Sequence, residues 1–195
     1  PIVFNKMKQE LDTARKKYRV HSGIIGKPRK DEWWMKRHQS MNKNARKQHD
    51  LLFVGDSITQ GWEGSGKGTW EKYYANRKAL NLGISGDRTE HVIWRLDNGN
   101  LRNQKKAKAA VIMIGTNNTG HVMQDPTEVR DGVERIVSTL RARCPEAKIL
   151  ILGVFPRGVK PGDAKRKNNI EINKLISKFH NGERIHYLDI SDKFL

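Results

Sequence analysis

Five apolar runs of strand length, with helical segments between them, constrain this chain more than any other feature. The runs are 51–55 (LLFVG), 78–82 (KALNL), 110–115 (AVIMIG), 148–154 (KILILGV) and 184–189 (RIHYLD). Several are nearly continuous in apolar residues, the pattern of strands buried on both faces of a parallel sheet. Between them, "DRTEHVIWRLDNG" places Asp87 and Glu90 at capping-box spacing, carries Val92, Ile93 and Leu96, and stops at Gly99. "DPTEVRDGVERIVSTLRARCP" opens with Asp125 and Pro126 as cap and first turn and ends before Pro145. A third helix fits residues 163–180. Alternating strands and helices predict an α/β fold in three layers around a mostly parallel sheet.

The first fifty residues differ from the rest. They hold 14 Lys/Arg against 5 Asp/Glu and contain no strand-like run. "MKQELDTARKKY" is expected to be helical and "HSGIIGKPRK" to be a loop. "DEWWMKRHQSMNKNARKQ" is expected to be a helix capped by Asp31, with Trp34, Met41 and Ala45 along one face. Residues 1–50 therefore read as a basic, partly helical extension packed on a domain covering 51–195.

The formal net charge is +17 over 195 residues, which favours anionic surroundings and suggests contact between the basic extension and an anionic polymer. A single cysteine, Cys144, excludes an intramolecular disulfide and leaves the compartment open. No apolar run approaches the roughly 18 residues of a membrane helix. The chain opens on Pro1, so a secreted or periplasmic protein with its leader removed stays among the expectations.

Ligands of open α/β sheets bind at the carboxyl ends of the strands, and three of those ends carry polar chemistry. The first run leads into Gly55-Asp56-Ser57, the second into Ser85-Gly86 and the third into Thr116-Asn117-Asn118. Ester hydrolysis needs a nucleophilic oxygen, which Ser57 can supply, and donors aimed at the developing oxyanion. The Gly86 N–H, the Asn117 side-chain amide and the Ser57 N–H are candidates for the latter. Each residue alone also fits a plain cap or turn. Their occurrence together, at three successive strand ends, points to a site.

The blocks "GDSITQGW", "NLGISGDRTEHVIWRLDNGNL", "VIMIGTNNTGH" and "ILILGVFPRG" resemble the GDSL/SGNH hydrolases, in particular the branch of the platelet-activating-factor acetylhydrolase α-subunits. The resemblance covers roughly residues 50–195. It implies a flavodoxin-like fold with a five-stranded parallel sheet, Ser57 as nucleophile, and Gly86 and Asn117 completing an oxyanion hole. It further implies hydrolysis of small-acyl esters through an acyl-enzyme, without metal or cofactor. Acetylated carbohydrates and short-chain lipid esters are the expected substrates.

The family's fourth block, an Asp-x-x-His after the last strand, is not found in this sequence. No histidine follows His186, and His186 and Asp189 stand in the wrong order. His121 follows the Asn117 loop and is the first substitute to consider. The expectation is a hydrolase shortened at its C-terminal side, lacking its base and the final helix that would cover one sheet face, and weakly active or inactive. Two rival readings stay open: a vestigial, non-enzymatic module that binds anionic polysaccharide or nucleic acid, and a nucleotide site at "GWEGSGKGT". The latter has P-loop spacing at Gly61, Gly66 and Lys67, but Gly68 replaces the hydroxyl residue. Trp62, Trp70 and Trp94 are candidate pocket-lining residues.

Overall fold

The computed structural model describes residues 2–17 and 21–194. Five parallel strands form one sheet in the order β2-β1-β3-β4-β5. They are β1 (Leu51–Gly55), β2 (Ala79–Gly83), β3 (Ala109–Met113), β4 (Lys148–Leu152) and β5 (Ile185–Leu188). The order reverses between β1 and β3, which creates the crevice where doubly wound sheets hold ligands. The α/β, flavodoxin-like architecture expected from the sequence is therefore present. β1 has the expected bounds, and the other strands begin and end within two residues of theirs. β3 stops at Met113 and β4 at Leu152, where the chain turns into loops.

The two faces of the sheet differ. Leu52, Val54, Leu82, Ala110, Ile112, Ile149 and Ile151 alternate along the strands and are fully or almost fully buried. The helices α5 (Thr89–Arg95), α7 (Pro126–Arg143) and α8 (Ala164–Ile176) pack against one another and share this core. Helix α7 starts as the sequence predicts, with Asp125 accepting a hydrogen bond from the Thr127 N–H and Pro126 in the first turn. It buries Val129, Val133, Ile136 and Leu140. On the opposite face Phe53 lies under a cluster of Trp62, Trp70 of helix α4 (Lys67–Tyr73) and Tyr74, with ring centroids 6.3, 5.1 and 4.9 Å away. Farther across that face, Val111, Leu150, Leu152 and His186 are only half-buried. Leu188 at the edge is 47% exposed. Among the described residues, the sheet is thus fully covered on one side and partly bare on the other.

In the N-terminal region, α1 spans Ile2–Lys17 and α2 spans Glu32–Asn44. Residue 18, the last of the stretch expected to be helical, lies outside the described residues. Residues 21–30 form the expected loop. Trp34, Met41 and Ala45 are buried together, as their spacing predicts. Asp31 stands at the N-cap of α2, but its side chain makes no capping bond. Its carboxylate instead accepts from Arg29 Nε at 2.8 Å, an ion pair that competes with the cap.

A second capping expectation also fails. Helix α5 begins at Thr89 with Arg88, not Asp87, at the N-cap, and His91 Nδ1 accepts from the Arg88 N–H at 3.0 Å. After Arg95 the chain makes one wide turn, Leu96–Asn100, before Gly99 ends it. The Asp87 carboxylate is taken instead by Trp34, 53 residues away, and by Arg95 at the far end of the same helix, so it does not cap the first turn.

Candidate active site

Strand register brings the three polar loops level. Gly55 pairs with Gly83 on one side and with Met113 on the other, so β1 delivers its loop between those of β2 and β3. Ser57 opens the short helix α3 (Ser57–Gln60) and is exposed. Asp56 caps that helix, its Oδ1 accepting from the Ile58 N–H at 3.0 Å. The helix lies tightly on the end of β2, and a Cβ on Gly83 would sit 2.3 Å from the Gln60 nitrogen. Only glycine permits this approach.

Asn117, in the first turn of α6 (Thr116–Val122), is buried and ties the three loops together. Its Nδ2 donates to the Asp87 carbonyl at 3.0 Å and approaches Asp56 Oδ2 at 3.4 Å. One amide hydrogen is thus committed. The other makes only the longer contact. Next to it, Asn118 accepts from the Thr89 N–H and donates to Thr89 Oγ1 and Gln124 Oε1, which holds α6 on α5. Asp56 is completely buried, and burial pushes its carboxyl up to about 6. The Ile58 N–H pulls it down, and nearby Asp87 pushes it up further.

Gly86 is the third residue of a turn closed by the Asp87 N–H on the Ile84 carbonyl at 3.2 Å, and its φ is +76°. The backbone N–H groups of Ser57 and Gly86 have no partner among the described residues. The structure therefore brings Ser57, Gly86 and Asn117 to one edge of the sheet. A shallow depression of about 420 Å³ beside them is lined by Ser57, Gln60, Gly61, Glu63, Gly64 and Ser85. Trp62, Trp70 and Trp94 do not line it. The first two pack on Phe53, and Trp94 packs against Trp34 and His38. Gly61, Gly66 and Lys67 do not form a loop at a strand end, because α3 stands between them and β1.

Four arginines hold carbonyls at or just beyond the strand ends, two of them, Arg95 and Arg157, inside the blocks quoted above. Arg95 Nη2 donates to Gly55 O at 3.3 Å and Arg37 Nε to Gly83 O at 2.9 Å. Arg29 Nη1 donates to Ser85 O at 2.9 Å and Arg157 Nη1 to Thr116 O at 3.0 Å. Sequence reasoning missed them because each is far along the chain from its acceptor. Their only advance signal was the excess of basic residues, and part of that excess is spent inside the protein.

No histidine among the described residues hydrogen-bonds the Ser57 hydroxyl. His38 and His91 are buried and held neutral, lowered to about 4 and about 3 chiefly by desolvation. His121 is exposed on the same edge as Ser57. Partial burial lowers it, and the charges of Arg88, Arg157 and Arg29 lower it further. A serine-activating imidazole needs a carboxylate that stabilises its cation, and His121 faces mainly guanidinium groups. His186 is beside the Glu183 carbonyl at 3.3 Å, and Asp189 is engaged by Ser191, Tyr187 and Asn173. These two do not form a catalytic pair.

Residues 53–195 match the model of the GDSL-like Lipase/Acylhydrolase family. The platelet-activating factor acetylhydrolase IB subunit alpha2 of Rattus norvegicus is 41% identical over 147 residues, covering 75% of this chain and 61% of that protein. The corresponding alpha1 subunit of Homo sapiens is 35% identical over 167 residues, covering 85% of this chain and 69% of that one. The chain thus spans less than two thirds of the alpha2 subunit's length. Among solved structures, Est24, a carbohydrate acetylesterase from Sinorhizobium meliloti, superposes with a TM-score of 0.60 at 16% identity, covering 74% of this chain and 85% of the other. Axe2, an acetylxylan esterase from Geobacillus stearothermophilus, gives 0.59 at 18% identity, with 76% and 78% covered. The structural likenesses carry the fold, and the family match carries the lineage: this chain belongs to the GDSL-like lipase/acylhydrolase family.

Proposed function

We propose that the chain carries the nucleophile and oxyanion-hole parts of a serine ester hydrolase acting on small-acyl esters, acetyl esters above all. One observation carries this reading. An exposed serine just beyond β1 is flanked, in the segments that follow its two neighbours β2 and β3, by a glycine N–H without a partner among the described residues and a loop-bridging asparagine amide.

In this mechanism the Ser57 oxygen attacks the ester carbonyl carbon and gives up its proton. The carbonyl π electrons move onto oxygen. That oxyanion is received by the N–H groups of Ser57 and Gly86 and by Asn117 Nδ2. Collapse expels the alcohol and leaves Ser57 acylated, and water then releases the acid. The preference for acetyl groups is supported by the names of the relatives and neighbours, which are acetylhydrolases and acetylesterases. An acetylated carbohydrate or a short-chain lipid ester fits this class.

Because no histidine among the described residues reaches Ser57, its proton needs an outside acceptor. Hydrolysis of p-nitrophenyl acetate, with and without added imidazole, tests the reading. Imidazole should accelerate the protein-dependent rate, Ser57→Ala should abolish that acceleration, and mass spectrometry should find one acetyl group on Ser57. Equal rates for the two proteins would overturn the assignment.

A further inference from the structure

The Ser85 carbonyl and the Gly86 N–H belong to one peptide unit. In a four-residue turn that central unit is the part that flips. Type I and type II turns differ mainly by rotating it, and a positive φ at the third residue marks the second form. The turn from Ile84 to Asp87 has that mark, with Gly86 at +76°. Whether the Gly86 N–H faces the substrate is therefore decided by where the Ser85 carbonyl points.

That carbonyl is held by Arg29. Its Nη1 donates to Ser85 O at 2.9 Å, while Gln60 Oε1 accepts from the Ser85 N–H at 2.7 Å, so the residue is gripped at both ends. Arg29 is itself fixed by Asp31 Oδ2 at 2.8 Å and by stacking on Trp33, with its guanidinium carbon 5.0 Å from the ring centroid. The fit at Gly86 is close, since a Cβ there would lie 2.6 Å from Arg29 Nη1. A cation on a carbonyl also polarises the rest of its peptide and makes the opposite N–H a stronger donor.

We infer that Arg29 is a positioning residue that fixes and strengthens the oxyanion donor at Gly86. The inference rests on the esterase reading for its functional meaning. It gives the loop before α2, which lies outside residues 53–195 matched by the family model, a direct part in the site.

The test compares the full chain with Arg29→Met and Arg29→Lys by amide NMR and by imidazole-assisted p-nitrophenyl acetate hydrolysis. In Arg29→Met the Gly86 amide nitrogen and proton should shift upfield, while Gly182, a distant positive-φ glycine, should stay fixed. Arg29→Lys should restore part of the shift. Turnover that depends on Ser57 should fall by roughly tenfold in kcat with KM little changed, less than the loss expected for removing a donor outright. Unchanged Gly86 resonances in Arg29→Met would overturn the inference. So would a normal kcat in that variant when the unaltered chain turns over through Ser57. If Arg29→Met does not fold, Arg29→Lys decides alone, and a Gly86 amide identical to that of the unaltered chain counts against the clamp. A shifted Gly86 amide in a chain without Ser57-dependent turnover would uphold the clamp and remove the esterase reading instead.

Discussion

Arg95 and Asp87 form a completely buried ion pair, Nε to Oδ2 at 2.8 Å, directly behind the site. Through Arg95 the pair reaches Gly55 O, and Trp34 Nε1 completes the carboxylate at 2.6 Å. Burial pushes Asp87 up and Arg95 down, and each partner pulls the other back toward its charged form. Removing one member strands the other, which typically costs about 3–5 kcal/mol. Arg95→Met is therefore expected to lower the melting temperature by roughly 10 °C for a chain of this size. Arg95→Met combined with Asp87→Asn should recover part of the loss. Thermal melting of the three proteins checks both statements.

Asn117 joins an observed structural contact to a proposed catalytic one. Asn117→Ala leaves the Asp87 carbonyl without its side-chain donor and, on the proposed mechanism, also removes an oxyanion donor. Turnover through Ser57 should drop on the order of 100-fold, mostly in kcat. Stability should fall by about 1 kcal/mol. Steady-state kinetics with imidazole present and a denaturant titration read the two effects independently.

Acidification should weaken the fold through its buried imidazoles. His38 and His91 are lowered from 6.5 to about 4 and about 3. As the pH falls below 6.5, the unfolded chain takes up both protons before the folded chain does. The stability these groups supply is complete above 6.5 and is lost progressively toward 4 and 3. Asp56 works in the other direction. Its folded value of about 6 exceeds the ordinary 3.8, so the folded state binds that proton first and gains stability between those values. Burial raises Asp87 in the same sense as Asp56, but Arg95 and Trp34 pull it back toward its charged form; the two buried imidazoles, joined by His121, Asp125 and Asp189, therefore set the sign, and the melting temperature should decrease between about pH 7 and about pH 4.5. His91→Asn keeps an acceptor for the Arg88 N–H and should flatten the decrease. A melting series across pH measures it.

What could be read in advance, and what could not, follows from the range of each interaction. That Ser57, Gly86 and Asn117 meet at one edge of the sheet was legible because an apolar strand followed by a polar turn is a local pattern, and parallel strands carry such turns to one edge. The cap at Asp125 was legible for the same reason. Asp31 and Asp87 have equally good local signals for capping, yet both side chains are taken by other partners. Asp87 is taken by Trp34, 53 residues away in the sequence. The carbonyl-holding arginines leave no trace in any window, since Arg29, Arg37 and Arg157 reach acceptors 56, 46 and 41 residues distant. Charge composition registered their number and suggested an outside anionic partner. Their hydrogen bonds account for some of that charge from within.

The half-covered sheet, combined with the charge, gives this chain the character of a charge-stabilised colloid. Val111, Leu150, Leu152 and Leu188 expose apolar surface that water disfavours, and a net charge of +17 keeps such surfaces apart. That repulsion reaches about 8 Å at physiological ionic strength and about 3 Å at 1 M salt, while apolar attraction does not weaken. Light scattering should therefore find dispersed protein in dilute buffer and growing association as sodium chloride is raised, reversed by Leu150→Lys. Dispersed particles at every salt concentration would show that the bare face is too small to draw two chains together.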